Sequence, residues 1–312
     1  MRNGPKRDVA QEITDLILSR IEQGVLPWRR PWMVTGAGGA PLRAGGQRYT
    51  GINALYLWAV ADGMGYGSRY WMTYRQAQEL GGQVRRGEAA HPSIYFNSTK
   101  KTETDARTGE ESTRHIRFMR SYWVFNASQI DGLPVHFYPN PLPTALPSPS
   151  ERQAQIDAFF EPIPIEVRHG GNRAYYSPAG DYVQMPPLRA FISADHHAAT
   201  LAHEYGHATG AAHRLNREFG KRFGDKAYSA EELVAELVSG RVCYELGLPP
   251  ELHDSHASYI DHFVSLMKAD KTAIITAAAK AEQAFNFLAQ FSGYGQEQGE
   301  AGHDTSALPA HA

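Results

Sequence analysis

The stretch Ala202-His203-Glu204-Tyr205-Gly206-His207 constrains this chain more than any other. On an α-helix, positions i and i+4 share a face one turn apart, so His203 and His207 present two imidazoles to one ion. Glu204 falls on the adjacent flank, where a carboxylate takes a proton from water at that ion. This is the core of a zinc-peptidase site, and it requires a further element to carry the third ligand. The alanine-rich run 195–202 predicts the helix, with Asp195 or Ser193 capping its start and no breaker before Gly210.

Two residues compete as third ligand. The spacing His203-Glu-x-x-His207-x-x-Gly210-x-x-His213 allows a glycine turn to return His213 to the metal, an arrangement that calls for a methionine turn downstream. Met267 is available, but its surroundings read as helix. The alternative is Glu232. On a helical wheel over residues 228–245, Leu233, Leu237 and Cys243 share one side, and Glu232 and Glu236 sit at its edge one turn apart. Glu231, Arg241 and Glu245 point the other way. Two inward carboxylates are costly unless paired; a metal held by Glu232, with Glu236 orienting a ligating histidine, pairs both. Ser229-x-x-Glu232 also reads as a capping box, in which Glu232 serves only the helix start. Sequence alone leaves the choice open.

The 312 residues suggest two domains. No apolar run reaches the roughly 20 residues needed to span a bilayer, and the N-terminus lacks the apolar core of a secretory signal. With a single cysteine, Cys243, there is no intrachain disulfide. The expectation is a cytoplasmic protein with no membrane partner. Charge is uneven: residues 1–140 carry 18 Lys and Arg against 12 Asp and Glu, and the remainder 13 against 21. All five tryptophans lie in the basic part, so the halves have different tasks.

Periodicity predicts helices over 8–24, 54–61 and 74–80, the last capped by Thr73, with strands at 70–72, 93–97 and 116–125. Residues 100–114 read as an exposed hairpin tip. Four prolines make 140–150 an extended linker. Beyond it come a helix at 151–160, strands at 165–168 and 174–177, an edge strand at 181–186, the two motif helices, and helices near 255–268 and 271–291. From 293 the tail is small and polar, and it reads as disordered. The division is thus 1–139, a linker 140–150, 151–292 and a tail 293–312. The fold class is α+β: an N-terminal α+β domain and a mostly helical C-terminal domain with a small sheet.

Single-stranded nucleic acid is held by cations along the backbone and aromatic platforms beneath the bases. Trp28, Arg29, Arg30, Trp32, Arg48, Tyr49, Asn53, Trp71, Arg85 and Arg86 supply candidates at loops and element ends. Trp58 and Trp123 read as core.

Several stretches resemble, in order, the ArdC-type antirestriction proteins. They are 24–32 (Gly-Val-Leu-Pro-Trp-Arg-Arg-Pro-Trp), 49–53 (Tyr-Thr-Gly-Ile-Asn), 71–77 (Trp-Met-Thr-Tyr-Arg-Gln-Ala) and 124–129 (Val-Phe-Asn-Ala-Ser-Gln). The same domain opens TraC-type primases. The histidine motif, Arg214-Leu215-Asn216-Arg217 and 231–236 look like the zincin-type domain that accompanies it. Ala208 and His196-His197 depart from the tryptophan and tyrosines frequent there. The resemblance implies a single-stranded-DNA-binding N-terminal domain and a zincin-like metallopeptidase domain reminiscent of the Spartan proteases. It implies protection of incoming plasmid or mobile-element DNA from restriction, with a DNA-bound host protein as possible substrate. The motif and the wheel together assign His203, His207 and Glu232 to Zn2+, a donor set that also accepts Mn2+ or Co2+, with His213 still open as third ligand, Glu204 to catalysis and Glu236 to support of a ligating histidine. The competing readings are a non-catalytic DNA-shielding protein with a structural metal and a DNA–protein crosslink protease.

Overall fold

A computed structural model describes residues 7–28, 40–104, 111–139, 148–219, 223, 226–248 and 257–294. Helix α1 (Val9–Glu22) is capped by Asp8, which accepts from the Gln11 amide at 3.1 Å. It buries Val9, Ile13, Ile17 and Ile21, the helical stripe read from sequence. Strand β1 (Leu42–Arg43), helix α2 (Gly51–Met64), β2 (Tyr70–Met72), α3 (Tyr74–Glu79) and β3 (Gln83–Val84) follow. Thr73 and Gln76 form a capping box on α3. Strands β4 (His91–Thr104) and β5 (Glu111–Asn126) pair antiparallel over the whole of β4, the last two residues of β5 pair with β2, and β6 (Ile130–Asp131) pairs with β3. A mixed sheet runs β1-β2-β5-β4.

The second half holds α4 (Pro149–Phe160), β7 (Glu166–His169), β8 (Tyr175–Ser177), β9 (Tyr182–Met185), α5 (Ala194–Ala208), α6 (Ala227–Glu245), α7 (Ala257–Ala269) and α8 (Ala273–Ser292). Its three strands are ordered β7-β9-β8. The segment expected at the sheet edge, β9, is therefore central: Val183 and Met185 are fully buried, and both neighbours bond to it. Helix α4 starts inside the expected linker because Ser148 and Glu151 form a capping box around Pro149. The expected hairpin tip at 100–114 is shorter, since residues 100–104 and 111–114 belong to β4 and β5; residues 105–110, residues 140–147 and the tail from 295 lie outside the described residues.

One continuous apolar core runs through both halves, from Val9, Ile17, Leu57 and Trp71 to Leu233, Phe263, Phe285 and Leu288. Helix α8 joins them. Its alanines at 277, 278, 281 and 284 let α2, α4, α6 and α7 approach closely. A smaller cluster around Met72, Ile130 and Phe137 lies beneath β3 and β6. Among the tryptophans, Trp28 and Trp71 are core (3% and 1% exposed), while Trp58 and Trp123 are half-buried. This reverses the sequence expectation. Trp58 meets Tyr244 edge-on at 5.5 Å, and Trp123 lies under Arg7.

Candidate metal centre

Helix α5 is capped by Ser193, which accepts from the His196 amide, and it lies along α6. The two helices touch at backbone level, since a Cβ on Gly206 would sit 2.9 Å from the Ala235 Cα. Ser239 Oγ, donating 2.8 Å to the Ala199 carbonyl, locks them together. The close approach brings a third side chain to the histidine pair. His203 Nε2 and His207 Nε2 are 3.1 Å apart. Glu232 Oε2 lies 3.6 Å from His203 Nε2, and Glu232 Oε1 lies 3.5 Å from His207 Nε2.

These residues fit a metal. Donors about 2.1 Å from a tetrahedral ion lie roughly 3.4 Å from one another, and the three observed separations bracket that value. Among the described residues this is the one group of three or more His, Cys, Asp or Glu so placed. His203 is deeply buried, which by itself would depress its basicity. The Glu232 and Glu236 carboxylates outweigh that and hold it up at about 10. Burial raises the Glu232 carboxyl, but His203 and His207 bring it net below the usual range. The carboxylates therefore create a place for positive charge, which a divalent cation satisfies as a proton does.

Glu232 stands within α6, whose cap is Lys226, so the capping-box role falls away. His213 is not near the cluster: its side chain is 59% exposed and pairs with Asp181 at 3.0 Å. Asp181 also receives Arg214 through two bonds, of 2.7 and 3.0 Å. Met267 sits in α7, as its surroundings suggested.

Glu204 is 8% exposed. Burial pushes its carboxyl up, and the pull of His203 and His207 the other way does not cancel that, so it lies above the usual carboxylate range. Glu236 lies beside His203, with Oε2 3.7 Å from Nδ1. Glu231, expected on the far side of α6, supports His207, with Oε1 3.3 Å from Nδ1. It reaches there because Arg217, from the loop after α5, turns back over the helix end. Arg217 donates to Glu231, to the Gly206 carbonyl at 2.7 Å and to Thr209 Oγ1 at 2.9 Å. Tyr228 stands one turn before Glu232 and has its hydroxyl 3.1 Å from that of Tyr259. Helical periodicity carried no signal for Arg217. Tyr228 was visible as the i−4 neighbour of Glu232.

The aromatic surface read from sequence is largely interior. Trp28, Tyr49 and Trp71 are 3%, 4% and 1% exposed and offer no face to a base. Each sits at the end of a loop or short strand in sequence, but there the chain dips into the shared core. Asn53 is structural, exchanging hydrogen bonds with the Ile94 backbone at 2.7 and 2.8 Å. Arg48 pairs with Glu245 of α6, and Arg85 with Glu88, Asp131 and the Ser128 carbonyl. Arg86 is exposed. Arg29, Arg30 and Trp32 lie outside the described residues.

Comparison with known proteins gives a consistent result. Residues 7–125 match the N-terminal domain of anti-restriction factor ArdC, and residues 154–280 match a zincin-like metallopeptidase. Over 286 residues the chain is 39% identical to uncharacterized protein y4eC of Sinorhizobium fredii, covering 90% of this chain and 91% of that one. It is 36% identical over 311 residues to the DNA primase TraC of Escherichia coli; the match covers 92% of this chain but only 27% of the primase. Crystal structures of the antirestriction ArdC protein from plasmid R388 superpose with TM-scores of 0.75 (metal-free, 41% identity) and 0.74 (Mn(II)-bound, 40% identity). Each covers 92% of this chain and 98% of its own. No helix among the described residues is long and apolar enough to cross a membrane.

Proposed function

This chain belongs to the ArdC-type antirestriction family, and from that premise we propose that it is a metal-dependent peptidase acting on protein bound to single-stranded DNA, so that incoming plasmid or mobile-element DNA escapes restriction. The observation that carries this reading is the convergence of His203, His207 and Glu232 beside the buried carboxyl of Glu204. The donor set suits Zn2+ and admits Mn2+ or Co2+; the Mn(II)-bound relative supports a divalent ion.

When bound, the ion supplies Lewis acidity toward a peptide carbonyl and toward water. The remaining work falls to the chain. His203, His207 and Glu232 hold the ion. Glu204, raised by burial, takes a proton from the attacking water and delivers it to the leaving amine. Glu236 and Glu231 fix the two imidazole rings from behind. Similarity to part of TraC supports the association with DNA.

Glu204→Gln tests the reading. It is expected to retain metal, to lose peptide hydrolysis by 100-fold or more and to lose protection from restriction. Protection that survives with metal bound would mean that the chain shields DNA without hydrolysis. Broad cleavage of DNA-crosslinked proteins by wild type, without an antirestriction effect, would mean a repair protease.

A further inference from the structure

Trp28 belongs to the N-terminal half, yet it sits 3% exposed against α6 and α7. Its indole Nε1 donates 3.3 Å to Glu236 Oε1 in buried surroundings. The other oxygen of Glu236 lies 3.7 Å from His203 Nδ1, and the opposite edge of that ring, Nε2, faces His207 and Glu232. An indole, a carboxylate and an imidazole thus form a line that ends at the metal-ligand cluster.

Two contacts fix the indole. The Trp28 carbonyl rests directly on α6, where a Cβ on Gly240 would lie 2.5 Å from it. Phe263 of α7 meets the ring edge-on, at 6.4 Å and 71°. The chemistry of the line is directional. An imidazole that binds a cation through Nε2 carries its proton on Nδ1, and the carboxylate behind it sets tautomer and ring angle. That carboxylate, only 3% exposed, keeps one orientation only if its remaining lone pairs are met by donors. Trp28 meets one of them.

We propose that Trp28 is a positioning residue of the metal centre: by donating to Glu236 it fixes the carboxylate that orients His203, so the N-terminal half completes a site whose ligands all lie in the C-terminal half. The inference rests on the reading of His203, His207 and Glu232 as metal ligands. The role differs in kind from the base stacking expected of Trp28.

The test uses the full chain, stripped by chelator and titrated with Zn2+ and with Mn2+ against a chromophoric competitor. Trp28→Phe removes the N–H donor and keeps an aromatic ring; it is expected to weaken metal binding about tenfold. Glu236→Gln is expected to weaken it by at least as much, and the double variant no further than Glu236→Gln alone, because the two act through one contact. Should Trp28→Phe not fold, exchange of the Trp28 indole proton in an NMR experiment serves instead. That exchange should be slow in wild type and accelerate in Glu236→Gln. Wild-type affinity in Trp28→Phe, multiplying effects in the double variant, or exchange indifferent to Glu236→Gln overturns the inference and leaves the metal reading standing. A wild-type chain that binds neither ion sinks the metal reading first.

Discussion

Gly206 of α5 lies against Ala235 of α6 so closely that a Cβ at position 206 would stand 2.9 Å from the Ala235 Cα. This contact sets the spacing that carries Glu232 to the histidine pair. A methyl group there must push the helices apart. Gly206→Ala is therefore expected to lower stability by about 1–3 kcal/mol and to weaken metal binding about tenfold or more. Urea unfolding and metal titration check the two effects. An unchanged metal affinity would show that the helix spacing does not set the site.

Metal content separates the two arrangements that the sequence left open. About one ion per chain is expected in wild type by mass spectrometry, lost in His203→Ala, His207→Ala and Glu232→Ala. His213→Ala should retain it, because His213 is spent on Asp181 at 3.0 Å. Loss in His213→Ala with retention in Glu232→Ala would reverse the assignment.

Acid should expose the Glu231–Arg217 pair. Burial pushes the Glu231 carboxyl up, but hydrogen bonds from Arg217 and His207 override it and hold the group at about 2, against an unperturbed 4.5. A carboxyl depressed by folding stabilises the native state above its unfolded value, and that contribution disappears as pH falls through the folded value. The window is thus about pH 4.5 down to 2, and the contribution at neutral pH is at most about 3 kcal/mol. Denaturant unfolding of the metal-free protein should show wild type losing stability across this window more steeply than Glu231→Gln. Parallel profiles for the two would mean that the pair is not coupled to folding.

The sequence made the site legible where spacing along one helix decides it. His203 and His207 share a face by periodicity alone, and Glu232 and Glu236 followed from the inward stripe of α6. It failed where the fold wraps a second element around a helix. Glu231, Arg241 and Glu245 were placed opposite that stripe, yet they meet Arg217, the Phe285 ring and Arg48. The reason is that α6 is covered on nearly all sides, which a wheel built for a surface helix does not anticipate. Strand existence was readable in β2, β4, β5, β7, β8 and β9, but not strand order, since nothing local distinguishes a central β9 from an edge. Tryptophan burial was misjudged for the same reason: Trp28 and Trp71 stand in loop-like and short-strand sequence, and only the shared core explains their enclosure.

Burial changes what the aromatic substitutions should do in a DNA-binding experiment. Trp71 is 1% exposed and packed edge-on against Tyr66 and His91, with ring centroids 6.0 and 5.7 Å away. Trp71→Phe leaves a void in a packed core and is expected to lower stability by about 1–3 kcal/mol. Below its melting point, its affinity for a single-stranded oligonucleotide should match wild type. Arg86 is exposed on the basic turn after β3, and Arg86→Ala should behave the opposite way. Stability should stay within about 0.5 kcal/mol, while affinity falls and the slope of log affinity against log salt decreases by about 0.7, the value of one phosphate contact on a single strand. Fluorescence anisotropy across a salt series reads both. If Trp71→Phe weakens binding of the folded protein while Arg86→Ala leaves affinity and slope untouched, the nucleic-acid contact is aromatic after all, and the buried ring must become accessible when DNA binds.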